Sequence, residues 1–268
     1  MKKEMIWPDG MDSAAMVTIE LDNEFIWYDM GDSYRTPKNT SMGTYGTTRG
    51  LKRILDSLKA HQIRATFYIP GIAAEYYPEQ ILKIKEEGHE IALHGYAHEK
   101  FKSLELEEQR NRVQKGKQAL ETLTGTPIRG FRLPEGECTW GTRQILKEEG
   151  FVYDNSFFNH DLPYFSEEGL VEIPMRWELQ DFNYLALGPT FPIGKSRIAV
   201  YDDVLDNWLW ELKADHEMGF CYVIKFDPQT IGSPGRMFMF DRVLDELQKR
   251  NIWIATGSEV ADYYLGQK

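Results

Sequence analysis

The stretch Glu90-Ile91-Ala92-Leu93-His94-Gly95-Tyr96-Ala97-His98 is an apolar run that ends in two histidines four residues apart. A short apolar run of this kind reads as a buried strand, with its polar ending aimed at whatever lies beyond the sheet. If the chain turns into a helix there, the spacing puts both imidazoles on one face, where neutral nitrogens can share a metal ion. Spacing alone fits two polar loop residues as well. A second apolar run, Val17-Thr18-Ile19-Glu20-Leu21-Asp22-Asn23-Glu24, also ends in polar residues, here acids. In an extended segment, alternation sends Glu20, Asp22 and Glu24 to one side. Three acids on one face repel unless a cation sits among them. A solvated strand end is the other reading, and the aromatic Phe25, Trp27 and Tyr28 that follow speak against it. Two histidines and a carboxylate around a divalent cation, with positions open to water, make a common hydrolytic arrangement.

Working outward, strand and helix alternate. Trp7-Pro8-Asp9-Gly10 is turn chemistry before a first strand at 14–19, and a loop with Gly31, Pro37, Gly43 and Gly46 leads to a helix through Leu51, Ile54, Leu55 and Leu58. Residues 64–69 form a strand stopped by Pro70-Gly71, and 78–87 a helix; Gly88-His89 turns the chain into the histidine strand. A charged helix over 104–123 precedes a short strand at 128–133, a helix at 142–149 and a strand at 151–154. The segment 155–194 loses periodicity and fills with aromatics and prolines, so it either covers a core or lines a pocket. A helix through Val204, Trp208 and Leu212, a strand at 220–226 ending in Asp227, a helix through Phe240 and Leu247, a strand at 252–255 and a helix capped by Ser258 complete the chain. The residues of interest fall at strand ends, which predicts a parallel α/β barrel with its active face at the carboxyl ends of the strands. His89 reads as a surface turn residue, while His61 and His216 read as helix-end residues that suit the dipole. Arg132, at a strand end, is either a surface residue or a bidentate grip on a carboxylate.

Composition narrows the class. The chain has 268 residues, 42% of them hydrophobic, enough for one barrel-sized core, and no break divides it, so 1–268 is expected to be a single domain. A formal net charge of −11 with no basic run argues against nucleic acid or an anionic membrane surface and suits a small neutral or cationic substrate. Neither a signal segment nor a membrane span is visible, and a cytoplasmic location is expected. Cys138 and Cys221 are too few for a disulfide framework and are expected to be thiols.

With these residues in place, the chain resembles the polysaccharide deacetylase (NodB-homology) family, on the branch that includes peptidoglycan-deacetylase-like and allantoinase-like hydrolases. The resemblance runs from Trp7-Pro8-Asp9-Gly10 through the acidic cluster, Ala65-Thr66-Phe67-Tyr68-Ile69-Pro70-Gly71, the histidine stretch, Gly130-Phe131-Arg132 and Tyr153-Asp154-Asn155-Ser156 to Glu172-Ile173-Pro174 and Pro228-Gln229. It implies a distorted, incomplete TIM-like (β/α) barrel, one divalent metal, usually Zn2+, hydrolysis of a C–N amide bond in a small molecule or oligosaccharide, and a homo-oligomer. Position by position it implies Asp22, His94 and His98 as metal ligands, Glu20 at the place of the catalytic-base aspartate and Arg132 as the arginine that orients it. The histidine that serves as general acid falls on Asp227. Base and acid are thus both replaced, which leaves an alternative: a catalytically impaired metal- or ligand-binding protein on the same scaffold. Glutamate shifts the reach of the base by roughly 1 Å, a displacement that can cost some 10²-fold in rate. An aspartic acid with an ordinary pKa of ~3.9 must be raised by about three units, some 4 kcal/mol, to give up a proton at neutral pH.

Overall fold

The computed structural model describes residues 5–28, 31–186 and 198–267. Residues 187–194 of the aromatic-rich stretch lie outside them. The sheet is organised around β1 (Ser13–Glu20), every residue of which is buried. Along one edge β1 pairs in parallel with β8 (Cys221–Phe226), Ala14 facing Cys221 and Ile19 facing Phe226. Its other edge is shared: β9 (Ile252–Ile254) pairs with Ser13–Ala15, and β2 (Thr66–Ile69) pairs with Thr18–Glu20. From β2 the sheet continues in parallel through β3 (Glu90–Leu93), β4 (Gly130–Phe131), β5 (Tyr153–Asp154) and β7 (Val171–Glu172), and ends on the antiparallel β6 (Tyr164–Phe165). Between the β7 side and β8 there is no strand ladder among the described residues; a lone parallel bridge, Gln180 to Lys225, spans the opening. The architecture is therefore an incomplete (β/α) barrel.

Helices cover the outside through apolar faces. Leu51, Ile54, Leu55 and Leu58 are buried at helical spacing on Leu51–Ala60, and Val113, Gly116 and Leu120 do the same on Leu106–Thr124, which ends at left-handed Gly125. Among the described residues no helix is long and apolar enough to cross a membrane.

The segment around Gly43 and Gly46 differs from the expected loop. Pro37–Tyr45 is an α-helix capped by the Thr36 side chain, and it runs through a π-helical turn, Gly46–Gly50, directly into Leu51–Ala60. Its glycines serve close approach rather than turning. A Cβ on Gly43 would stand 2.3 Å from the Glu24 backbone nitrogen, one on Gly46 2.8 Å from that of Gln229, and one on Gly50 2.1 Å from the Pro228 carbonyl oxygen. The last helix, Gly257–Leu265, is capped by Thr256 in a capping box with Glu259, not by Ser258, whose hydroxyl instead donates to Glu90 at 2.5 Å. His89 is buried rather than at the surface: its Nδ1 accepts the Ala65 N–H at 3.2 Å, and its ring packs on Phe67.

Candidate active site

Parallel strands align their carboxyl ends, and there the fold gathers Glu20 at the end of β1 and Asp22 beyond it, His94 and His98 after β3, Arg132 after β4 and Asp227 after β8. The histidine pair does not ride on a helix. Residues 95–97 turn, with Gly95 at φ 69° and His98 at φ 62°, and the Glu99 carboxylate holds that turn by accepting the N–H groups of Tyr96 and Ala97, each at 2.9 Å. Left-handed backbone is uncommon for a non-glycine residue. Here it swings the second imidazole back beside the first, ring centroids 5.2 Å apart.

Asp22 stands between the rings, its Oδ1 3.4 Å from His94 Nε2 and its Oδ2 3.5 Å from His98 Nε2. Tetrahedral ligands bound at about 2.1 Å stand roughly 3.4 Å from one another. His94 Nδ1 lies 2.8 Å from the Arg132 carbonyl, so the proton sits on Nδ1 and the Nε2 lone pair faces Asp22. Asp22 Oδ1 and His94 Nε2 are buried without a hydrogen-bond partner. Burial lowers the pKa of His94 below the ordinary imidazole value, which keeps it neutral as a ligand must be. Burial pushes Asp22 up, but the adjoining His98 and His94 imidazoles, the first also through a hydrogen bond, outweigh it and hold the carboxyl well below its usual range. Orphaned buried atoms, ligand-like spacing and a fixed tautomer fit a divalent cation.

Glu24 is not part of this face. Asn23 takes a left-handed conformation at φ 56°, the strand pattern ends, and the Glu24 carboxylate turns away to accept the Tyr77 hydroxyl at 2.8 Å. Glu20 stays, held between two cations: Arg132 Nη1 donates to its Oε1 at 3.1 Å, and the Lys225 ammonium contacts its Oε2. Arg132 does not grip Glu20 with both arms. Its Nη2 goes to Thr18 and Asn155, its Nε to the Asn155 carbonyl at 3.0 Å, and its plane lies 3.9 Å over the Tyr68 ring. Burial pushes Glu20 up, yet Lys225, His94 and Arg132 together leave it below its ordinary value.

Asp227 is 1% exposed, with Oδ1 unpartnered. Its backbone N–H donates to both oxygens of the buried Asp181, each at 3.1 Å. Burial and the neighbouring Asp22, Asp181 and Glu20 carboxylates raise the Asp227 pKa well above normal in spite of Lys225, and burial pushes Asp181 up to about 7. Lys225, Asp181, Thr18 and Asn155 were absent from the sequence-based site. A single lysine inside the apolar strand Cys221-Tyr222-Val223-Ile224-Lys225-Phe226 was a usable signal; nothing in the pattern marked Asp181.

These groups open into a cavity of about 460 Å³ walled by Phe158, Trp177 and Phe182. Phe158 also borders a groove of about 860 Å³ beside Trp140. The aromatic-rich stretch does both things expected of it: Leu179 and Leu185 are buried in the core, whereas Trp177 is 67% exposed at the mouth.

Residues 35–153 match the family model described as Polysaccharide deacetylase. A solved structure from Mycobacterium smegmatis named for the polysaccharide deacetylases is 32% identical over 98% of this chain and 93% of its own, with a TM-score of 0.91. The peptidoglycan deacetylase of Helicobacter pylori is 24% identical over 92% of this chain and 94% of its own. A solved Puue allantoinase shares the fold at a TM-score of 0.83 and 21% identity, over 97% of this chain and 92% of its own.

Proposed function

The chain belongs to the polysaccharide deacetylase family, and from that membership we infer that it hydrolyses the amide of an N-acylated sugar, with one divalent ion, zinc being the one the family resemblance implies, held by Asp22, His94 and His98. The observation that carries this reading is the pair of orphaned buried atoms, Asp22 Oδ1 and His94 Nε2, 3.4 Å apart beside His98. Bound there, the ion supplies Lewis acidity to a water and to the amide carbonyl. Glu20, kept ionised and oriented by Arg132 and Lys225, takes the proton of the attacking water. Asp227, its carboxyl raised by burial and by neighbouring acids, returns a proton to the departing amine. The exposed rings of Trp177 and Phe158 at the mouth suit the apolar faces of sugar rings.

A second reading, a binding protein on the same scaffold, draws on the clamp around Glu20: a carboxylate held down by two cations is a weak base. The readings part in one experiment. Purified protein analysed for metal is incubated with zinc and N-acetylated oligosaccharides, wall fragments and cyclic amides while released acid or amine is measured. Metal-dependent turnover that disappears in Asp22→Ala supports the hydrolase. Bound metal without turnover, joined by activity in Asp227→His, supports the binding protein, and absence of any bound metal removes the metal centre from both.

A further inference from the structure

Asp22 belongs to two groups of buried ligand atoms. With His94 and His98 it forms the set described above; with Glu20 and Asp227 it forms a second, all-carboxylate set whose oxygens also lie within 4.8 Å of one another. Each set is buried, and Asp227, a member of the second, has its Oδ1 without a hydrogen-bond partner. Two-metal hydrolases place their ions about 3.5–4 Å apart, and a carboxylate serving both sets is the natural bridge. In this chain, however, the Lys225 ammonium reaches into the all-carboxylate set and contacts Glu20 Oε2, its side chain only 13% exposed. Lys225 is the last residue but one of β8, Asp227 follows the end of that strand, and both line the same cavity.

We propose that the Lys225 ammonium is a built-in substitute for a second divalent cation: it fills the Glu20, Asp22 and Asp227 pocket and so fixes the centre at one metal ion. Resting on the metal-centre reading above, this explains why a charged residue is tolerated inside an otherwise apolar strand. A lysine also cannot be stripped by a chelator, so the carboxylates keep one partner when the metal leaves.

The test counts metal. Wild type, Lys225→Met and Lys225→Arg are loaded with excess Mn2+, desalted and analysed for bound metal, with circular dichroism to verify folding. Lys225→Met is expected to hold about one equivalent more than wild type, and Lys225→Arg, which keeps the cation, no more than wild type. Equal metal in Lys225→Met and wild type overturns the proposal, as does an equal gain in Lys225→Arg. Should Lys225→Met fail to fold, the spin-resonance spectrum of Mn2+-loaded wild type decides: isolated Mn2+ is expected, and a coupled pair overturns the proposal. Wild type with no metal at all would instead fail the metal-centre reading, while the difference between variant and wild type still judges this one.

Discussion

Two clusters of buried carboxylates sit at the carboxyl ends of neighbouring strands, and their partners differ in kind. After β5 and β7, Glu172 accepts the backbone N–H groups of Ser156 at 3.1 Å and Phe157 at 3.0 Å, and the Ser156 hydroxyl bonds Asp154. Arg143 closes that cluster 3.5 Å from Glu172 and stacks 3.9 Å from the Phe157 ring. After β1, β3 and β8, the carboxylates of Asp22, Glu20 and Asp227 instead face histidines and one another. Acids answered by the main chain hold a crossing of the chain in place. Acids answered by imidazoles and by other acids are prepared for a cation.

The contrast breaks most visibly in catalysis. Glu20→Gln is expected to lower kcat on an N-acetylated oligosaccharide by about 10²- to 10⁴-fold, whereas Glu172→Gln leaves kcat within a small factor of wild type. Equal losses would erase the distinction. Stability runs the other way: Glu172→Ala strands two buried N–H donors and the Arg143 charge, and urea titration is expected to show a loss of about 3 kcal/mol with unchanged metal content. Next in size is metal removal. Loaded wild type is expected to gain about 2.7 kcal/mol at a hundredfold excess of metal over Kd and to lose it to a chelator, seen as a fall in Tm. Asp22→Ala should show no such fall, and a wild-type Tm indifferent to chelator would count against the site.

The smallest effect is in pH. Burial raises Asp154 to about 6, so the folded cluster binds a proton that the unfolded chain releases near 4. Its contribution is complete below that lower value and fades as pH rises through 6. Asp22, pulled down by His98 and His94 against burial, has the opposite sign and loses its contribution as pH falls below the ordinary carboxylate range. Asp154→Asn should therefore flatten the decline in stability between pH 4.5 and 7 by about 2 kcal/mol. An unchanged slope would mean that Asp154 does not titrate there.

The alternation of apolar runs and helical faces made the barrel readable, and polar residues at the ends of those runs made Asp22, His94 and Asp227 readable with it. What escaped was set by non-local contacts. His94 and His98 are brought together by a turn held by Glu99 rather than by a helix, and no periodicity announces it. Of the two readings of Arg132, surface residue or double grip on a carboxylate, neither holds: it is buried, and Thr18 and Asn155, distant in sequence, take the donors that Glu20 does not. Glu24 follows strand alternation on paper, but one left-handed residue, Asn23, cancels it. Lys225 was visible and was absorbed into the apolar run around it.

The glycines at 46, 50 and 232 have a consequence for how this protein tolerates change. Replacing a helical glycine by alanine ordinarily stabilises by about 1 kcal/mol. Here a methyl on Gly50 meets the Pro228 carbonyl at 2.1 Å and one on Gly232 meets the Gly50 Cα at 2.4 Å, so the clearance between that helix and the chain just past Asp227 is nil. A mutation that improves the helix on its own terms would act as a wedge, levering the Asp227 segment off its seat while leaving every side chain of the centre chemically intact.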